Sequence, residues 1–255
     1  MFKIDLTERF PLLSRAPIIE AVLGVTARAQ APWEEAAISE QFKHLLTPSY
    51  PVVQSNRRIS HQITLGVATQ AEQRTSEEGW QGLRCQSEDA LHIAQFNRDG
   101  FTFSRLNPYL DWDHFLSEGM RLCRIYRDVA DPADMQRVGL RFINRIELPN
   151  DEEAKLSDFL ENPPKPPREM DVPFHGFLHH NTLAIVGTPY LVNVIQTVQL
   201  EQAMERWFVI LDIDVSTTEP IVNWSSLEKH LEEMRWLKNK AFFGSISSKT
   251  LEMIK

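Results

Sequence analysis

One segment constrains the fold more than any other. From Arg137 to Ile146 the side chains alternate: Arg137, Gly139, Arg141, Ile143 and Arg145 fall on one side, and Val138, Leu140, Phe142, Asn144 and Ile146 on the other. A period of two is that of a β-strand. One apolar side and one charged side describe a sheet with one face packed and one face open, as in antiparallel sheets. Asn144 is the single polar residue on the apolar side.

The same alternation marks other strands. In Ile18–Val25, Ile19, Ala21, Leu23 and Val25 oppose Glu20, Val22 and Gly24, and Pro17 precedes the run. A helix is expected from Pro32, with Glu34 and Glu35 in its first turn and a stripe of Trp33, Ala37, Phe42 and Leu45, ending before Pro48. Strands are expected at 59–67, 80–85, 90–96 and 101–105, the last as the edge of a hairpin. Residues 70–78 read as a polar loop because almost none is apolar. Ser87-Glu88-Asp89 and Asn97-Arg98-Asp99-Gly100 are turn signals. Asp111 is placed to cap a long helix with the stripe Phe115, Gly119, Leu122, Cys123 and Tyr126, ending near Asp131-Pro132.

After the 137–146 strand the order repeats. A short acidic helix is expected around 152–160, before a Pro-rich turn at Asn162–Pro167 that excludes helix. Strands follow near 174–178, 182–186, 191–200 and 207–215. A last helix begins at Ser225, with Glu228 completing a capping box and a stripe of Leu227, Leu231, Met234, Leu237 and Ala241. Gly244 is the expected cap at its end, with Phe242 and Phe243 docked into the core. Trp112 and Trp224 stand before the two closing helices in similar settings. The chain therefore reads as an α+β protein of two β-α-β4-α halves, 1–133 and 134–255, a tandem duplication packed as one unit. Each half would be a curved antiparallel sheet with helices on one face. The element order resembles the fold of the TATA-binding protein, a likeness of fold that carries no function.

At 255 residues and 42% hydrophobic, the chain is long enough for a core without staples. Its net charge of -8 disfavours nonspecific adhesion to nucleic acid or anionic membrane. Cys85 and Cys123 are too few for a zinc site or a disulfide scaffold and read as small buried hydrophobes. An early Asp5 and no long apolar run argue against a leader peptide or a membrane span, so a cytoplasmic location is expected.

Arg137, Arg141 and Arg145 on one strand face must be solvated, paired or bound to an anion. Asp212 and Asp214, sharing a face of another strand, are the obvious partners, as cross-strand charge pairs. The same two aspartates could hold a divalent cation for phosphodiester chemistry, but no third acid stands at a diagnostic spacing. His179 and His180 are adjacent in a strand and point to opposite faces, against a zinc site. No Gly-x-Ser-x-Gly, Gly-x-x-x-x-Gly-Lys or Gly-x-Gly-x-x-Gly string occurs, and no cofactor is expected. From Ser225 onward six Lys or Arg outweigh four acids, with Arg235, Lys238 and Lys240 near the helix end, where cations suit the dipole.

Four strings together, Ala16–Val22, Gly100–Leu106 with Tyr109 and Trp112, Arg137–Ile146, and Arg235–Phe243, resemble a bacterial family known only as a sporadically distributed uncharacterised protein. The resemblance spans nearly the whole chain; the family's usual Arg-Tyr-Ile-Asn string has Phe142 here. The family has no assigned activity and so supplies no catalytic residues. Its patchy occurrence resembles that of defence or toxin–antitoxin genes. The resemblance draws attention to Glu20, Arg141, Asn144, Arg145, Asp212 and Lys238 as motif polar positions. The expectation is thus a non-enzymatic regulatory or scaffold protein, antitoxin-like or a CRISPR accessory, that binds a protein partner encoded nearby. The acidic charge suits a basic partner. A homodimer and nucleic-acid binding across the sheet are the other associations the pattern allows; a metal-assisted nuclease on Asp212 and Asp214 is the enzymatic alternative.

Overall fold

In chain order the elements are β1 (Ile18–Thr26), α1 (Glu35–Leu46), β2 (Val52–Thr64), β3 (Glu72–Gln86), β4 (His92–Asn97), β5 (Gly100–Leu106), α2 (Trp112–Ala130), β6 (Arg137–Glu147), β7 (Leu178–Ile185), β8 (Tyr190–Glu201), β9 (Arg206–Thr217), α3 (Leu227–Phe243) and α4 (Ser248–Ile254). The computed structural model describes residues 2–64, 72–149, 155–170, 172, 175–202 and 206–255, with backbone alone for 58–64 and 72–78.

The strands form one antiparallel sheet in the order β2-β3-β4-β5-β1-β6-β9-β8-β7. β1 and β6 pair at its middle, with Leu23 opposite Leu140 and Val25 opposite Val138. From this seam both halves run outward by one rule. The strand that opens a half pairs with the strand that closes it, β1 with β5 and β6 with β9. The remaining strands then follow in reverse order to the edge. The sheet expected for each half is therefore one side of a single nine-stranded sheet.

Only the first half is β-α-β4-α. In the second, β7 is a single strand where patterning suggests two, because the polar His179–Asn181 stretch reads as a break. An edge strand wetted on both sides accepts such residues. Phe174 lies outside the described residues. So do residues 152–154 of the expected acidic helix; what is described there is a 3-10 turn at Leu156–Asp158, soon closed by Pro163 and Pro164.

In the first half, β3 starts at Glu72, so the polar run 72–78 is strand rather than loop, and its partner β2 starts at Val52. Backbone pairing satisfies the ladder whatever the side chains are. Residues 65–71, which include the end of the expected 59–67 strand, lie outside the described residues. β5 is interior, between β4 and β1, rather than a hairpin edge. Two glycines permit this packing: a Cβ on Gly82 would lie 2.0 Å from the Phe96 carbonyl oxygen, and one on Gly100 2.4 Å from that of Val25.

Three helices pack on one face. α1 stacks Phe42 on Phe96 at 4.4 Å, α2 brings Gly119 against Leu23 and Phe103, and α3 carries His230 and Glu233 to the Tyr190 hydroxyl. Among the described residues the other face bears no helix. The α2 stripe is buried as the spacing predicts, and Asp111 caps it by accepting from the His114 amide at 2.9 Å. α1 starts at Glu35 and turns Phe42 and Leu46 inward, leaving Ala37 and Leu45 exposed. Phe42 can pair with a residue three or four further on, and the docking angle selects four. The Ser225–Glu228 capping box does not form. A 3-10 turn, Trp224–Ser226, comes first, capped by Asn223, which accepts from the Ser225 amide. Gly244 closes α3 in an ordinary right-handed conformation, at φ -80°.

The core is continuous across the seam, joining Phe96, Phe101 and Phe103 to Phe142, Leu211 and Ile213. Each such side chain contributes about 1.5–3 kcal/mol by burial. Cys85 and Cys123 are buried free thiols, and burial pushes both up to about 12.

Candidate functional site: an open sheet face and a pocket behind it

The ten polar positions singled out from sequence divide between the two faces of the sheet. Glu20, Arg137, Arg141, Arg145, Asp212 and Asp214 share the open face, because the residues alternating with them on β1, β6 and β9 are the core. Asn144, Arg235, Lys238 and Lys240 lie on the helix side.

On the open face the arginines meet acids. β6 pairs with β9 so that Arg141 opposes Asp214 and Ile143 opposes Asp212. Arg141 reaches diagonally to Asp212 with two bonds, Nε to Oδ1 at 2.8 Å and Nη2 to Oδ2 at 2.5 Å. That bidentate bond, reinforced by Asp214 and Glu20, raises the Arg141 pKa despite partial burial. Arg137 donates to Asp214 at 3.0 Å. It lies over Gly139, where a Cβ would stand 2.9 Å from its Nη1. Arg145 pairs with Glu201 and stacks over Phe208, 3.6 Å from the ring centre. Glu201, at the far end of β8, was not marked by any local pattern in the sequence.

Arg137, Arg141, Asp212 and Asp214 line a shallow depression of ≈ 460 Å³ with Val22, Thr102, Asn193 and Ile195. His180 faces it and bonds Asn193 at 3.3 Å, while His179 lies on the opposite side of β7, as its strand position requires. All three guanidiniums are engaged by carboxylates, so the stripe offers little uncommitted charge to phosphates. Among the described residues no group of three or more His, Cys, Asp or Glu is placed to hold a metal ion.

Behind the sheet, Asn144 is 2% exposed and donates to the Leu211 and Phe142 carbonyls at 3.0 and 3.3 Å. Those bonds explain a polar residue on an apolar strand face. Arg235 is held by Glu232 and stacks on Trp112, and Lys240 bonds Glu8 at 2.6 Å. Lys238 differs from both. Its ammonium sits 4.2 Å from the Phe142 ring centre and has no acidic partner among the described residues. Burial, with Arg235 adding to it, brings its pKa down to about 7. Arg235 and Lys238 thus face a cavity of ≈ 300 Å³ rather than only decorating a helix end.

Two features carried little sequence signal. The amino-terminal segment straps over α3, with Phe10 stacked on Phe243 at 5.5 Å and the Arg15 amide bonded to the Ile254 carbonyl. Its apolar residues follow neither strand nor helix period. The second feature is β7. It ends the sheet, exposes Leu178 and Leu183, and contains no Asp, Glu, Lys, Arg or Pro. β2, at the other end, carries Arg57 and two register irregularities.

No family model matches the chain and no curated protein does so either, so the reading of these sites rests on their geometry.

Proposed function

We propose that this chain is a non-enzymatic protein-binding module that takes up an extended segment of a partner as a tenth strand along β7. The observation that carries the reading is the unguarded edge. Sheet edges are ordinarily protected by charge, proline or bulges; β2 has Arg57 and two register irregularities, whereas β7 has no Asp, Glu, Lys, Arg or Pro. Strand addition gains affinity from main-chain hydrogen bonds and selectivity from alternate side chains. Leu178, Leu183 and Val186 supply exposed apolar contacts there. The partner is a protein encoded nearby, in a defence or toxin–antitoxin-like setting within the cytoplasm, and the net charge of -8 suits a basic one. The common outward order of strands from the β1–β6 seam supports descent by duplication, and the element order of the first half resembles the saddle-like fold of the TATA-binding protein. Co-expression with neighbouring gene products tests the function. A partner should co-purify with the wild type and be lost from Leu178→Lys/Leu183→Lys, with thermal stability kept. A chain that emerges alone, or a complex indifferent to β7, defeats the proposal.

A further inference from the structure

We propose that the cavity between α3, the start of β1 and the amino-terminal segment binds a small organic carboxylate with an apolar body, held by Lys238. This site lies on the helix side of the sheet and is independent of strand addition at β7. The lining contains donors without acceptors. Lys238 has no acidic partner among the described residues, and the Trp236 indole N–H is buried without one. The acids present are committed elsewhere: Glu232 to Trp112 at 2.6 Å and to Arg235, and Glu8 to Lys240. The Lys238 side chain is only partly buried, so its unpaired ammonium opens onto the cavity, and a ligand that brings its own oxygen acceptors can pair with it there.

The walls state the rest of the chemistry. Phe10, Pro17, Phe242 and Phe243 are apolar, which calls for a hydrocarbon or aromatic body. A volume of ≈ 300 Å³ leaves room for about ten water-sized groups at ~30 Å³ each. Charge selects carboxylate over phosphate. Arg9, Arg235 and Lys238 share the lining with Glu8 and Glu232, three cations to two acids, so the lining's excess of one positive charge matches a monoanion better than a dianion. The facing strand β6 adds only neutral Asn144 and Phe142. Because burial already brings the ammonium close to neutral titration, affinity for an anion falls as pH rises through about 7.

Benzoate is the probe, with benzamide as its uncharged counterpart. Benzoate should saturate a change in tryptophan fluorescence and slow acetylation of Lys238 by acetic anhydride, read by mass spectrometry, while the exposed Lys229 is modified at an unchanged rate. Benzamide should bind at least about tenfold more weakly. Lys238→Met should lose benzoate and Lys238→Arg should keep it, both with an unaltered circular dichroism spectrum. Equal binding of benzoate and benzamide, benzoate binding retained by Lys238→Met, or no saturation by benzoate overturns the proposal.

Discussion

The two halves of the sheet leave the β1–β6 seam by the same rule and end in opposite ways. The first half spends the connection after its opening strand on α1, whose Phe42 stacks on Phe96 and covers the outer strands. In the second half the described part of the same connection holds a 3-10 turn and the prolines between 163 and 167, which cannot continue a helix. No described helix then covers β7, and its side chains stay in water. One outward strand order thus ends in a β2 edge with Arg57 and two register irregularities and in a β7 edge with neither charge nor proline.

The comparison breaks most severely at the seam. Phe142 is fully buried between the halves, against Tyr109, Phe115 and Lys238. Phe142→Ala should cost about 3–5 kcal/mol and leave one unfolding transition in denaturant. Two separate transitions would show that the halves do not share a core. Next in size is the ion-pair ladder. Arg141→Ala leaves Asp212, 8% exposed, without its bidentate donor and should cost about 1–3 kcal/mol. A double-mutant cycle with Asp212→Asn should show coupling, and additive losses would reduce the ladder to decoration.

Lys238→Met should raise stability at neutral pH, by on the order of 1 kcal/mol or more. The sign follows from the depressed pKa. Below about 7 both folded and unfolded chains hold the proton, and the burial penalty is complete. From there to the ordinary value of 10.5 the unfolded chain holds a proton the folded chain lacks, so wild-type stability climbs with pH. The advantage of Lys238→Met should shrink over that window, and a gap independent of pH would contradict the assignment. Smallest is the edge: Leu183→Lys should alter stability by less than about 0.5 kcal/mol, since the side chain is half exposed.

How far the sequence foretold this depends on where each residue sits. β1, β6 and α2 were legible because one face of each is buried, so period and burial coincide. The Arg–Asp pairing was legible for the same reason: open-face parity leaves charges facing charges. The polar start of β3 and the whole of β7 were not, because an outer strand needs its partner's backbone more than any pattern of its own. Asn144 stood out as a polar exception and Arg235 and Lys238 as cations near a helix end, yet their shared cavity depends on the aperiodic amino-terminal segment, which has no strand or helix register to read.

The seam also orders events while the chain is being made. β1 finds β5 as soon as Leu106 is available, but its other neighbour, β6, begins only at Arg137. The 30 intervening residues, 107 to 136, are almost entirely α2 and its flanks. At ~5–20 residues per second a ribosome takes about 2–6 s to deliver them. Through that interval β1 presents an unpaired backbone edge at what will become the centre of the molecule. α2, emerging in the same seconds, is the element available to cover the apolar side of β1 before its last neighbour arrives.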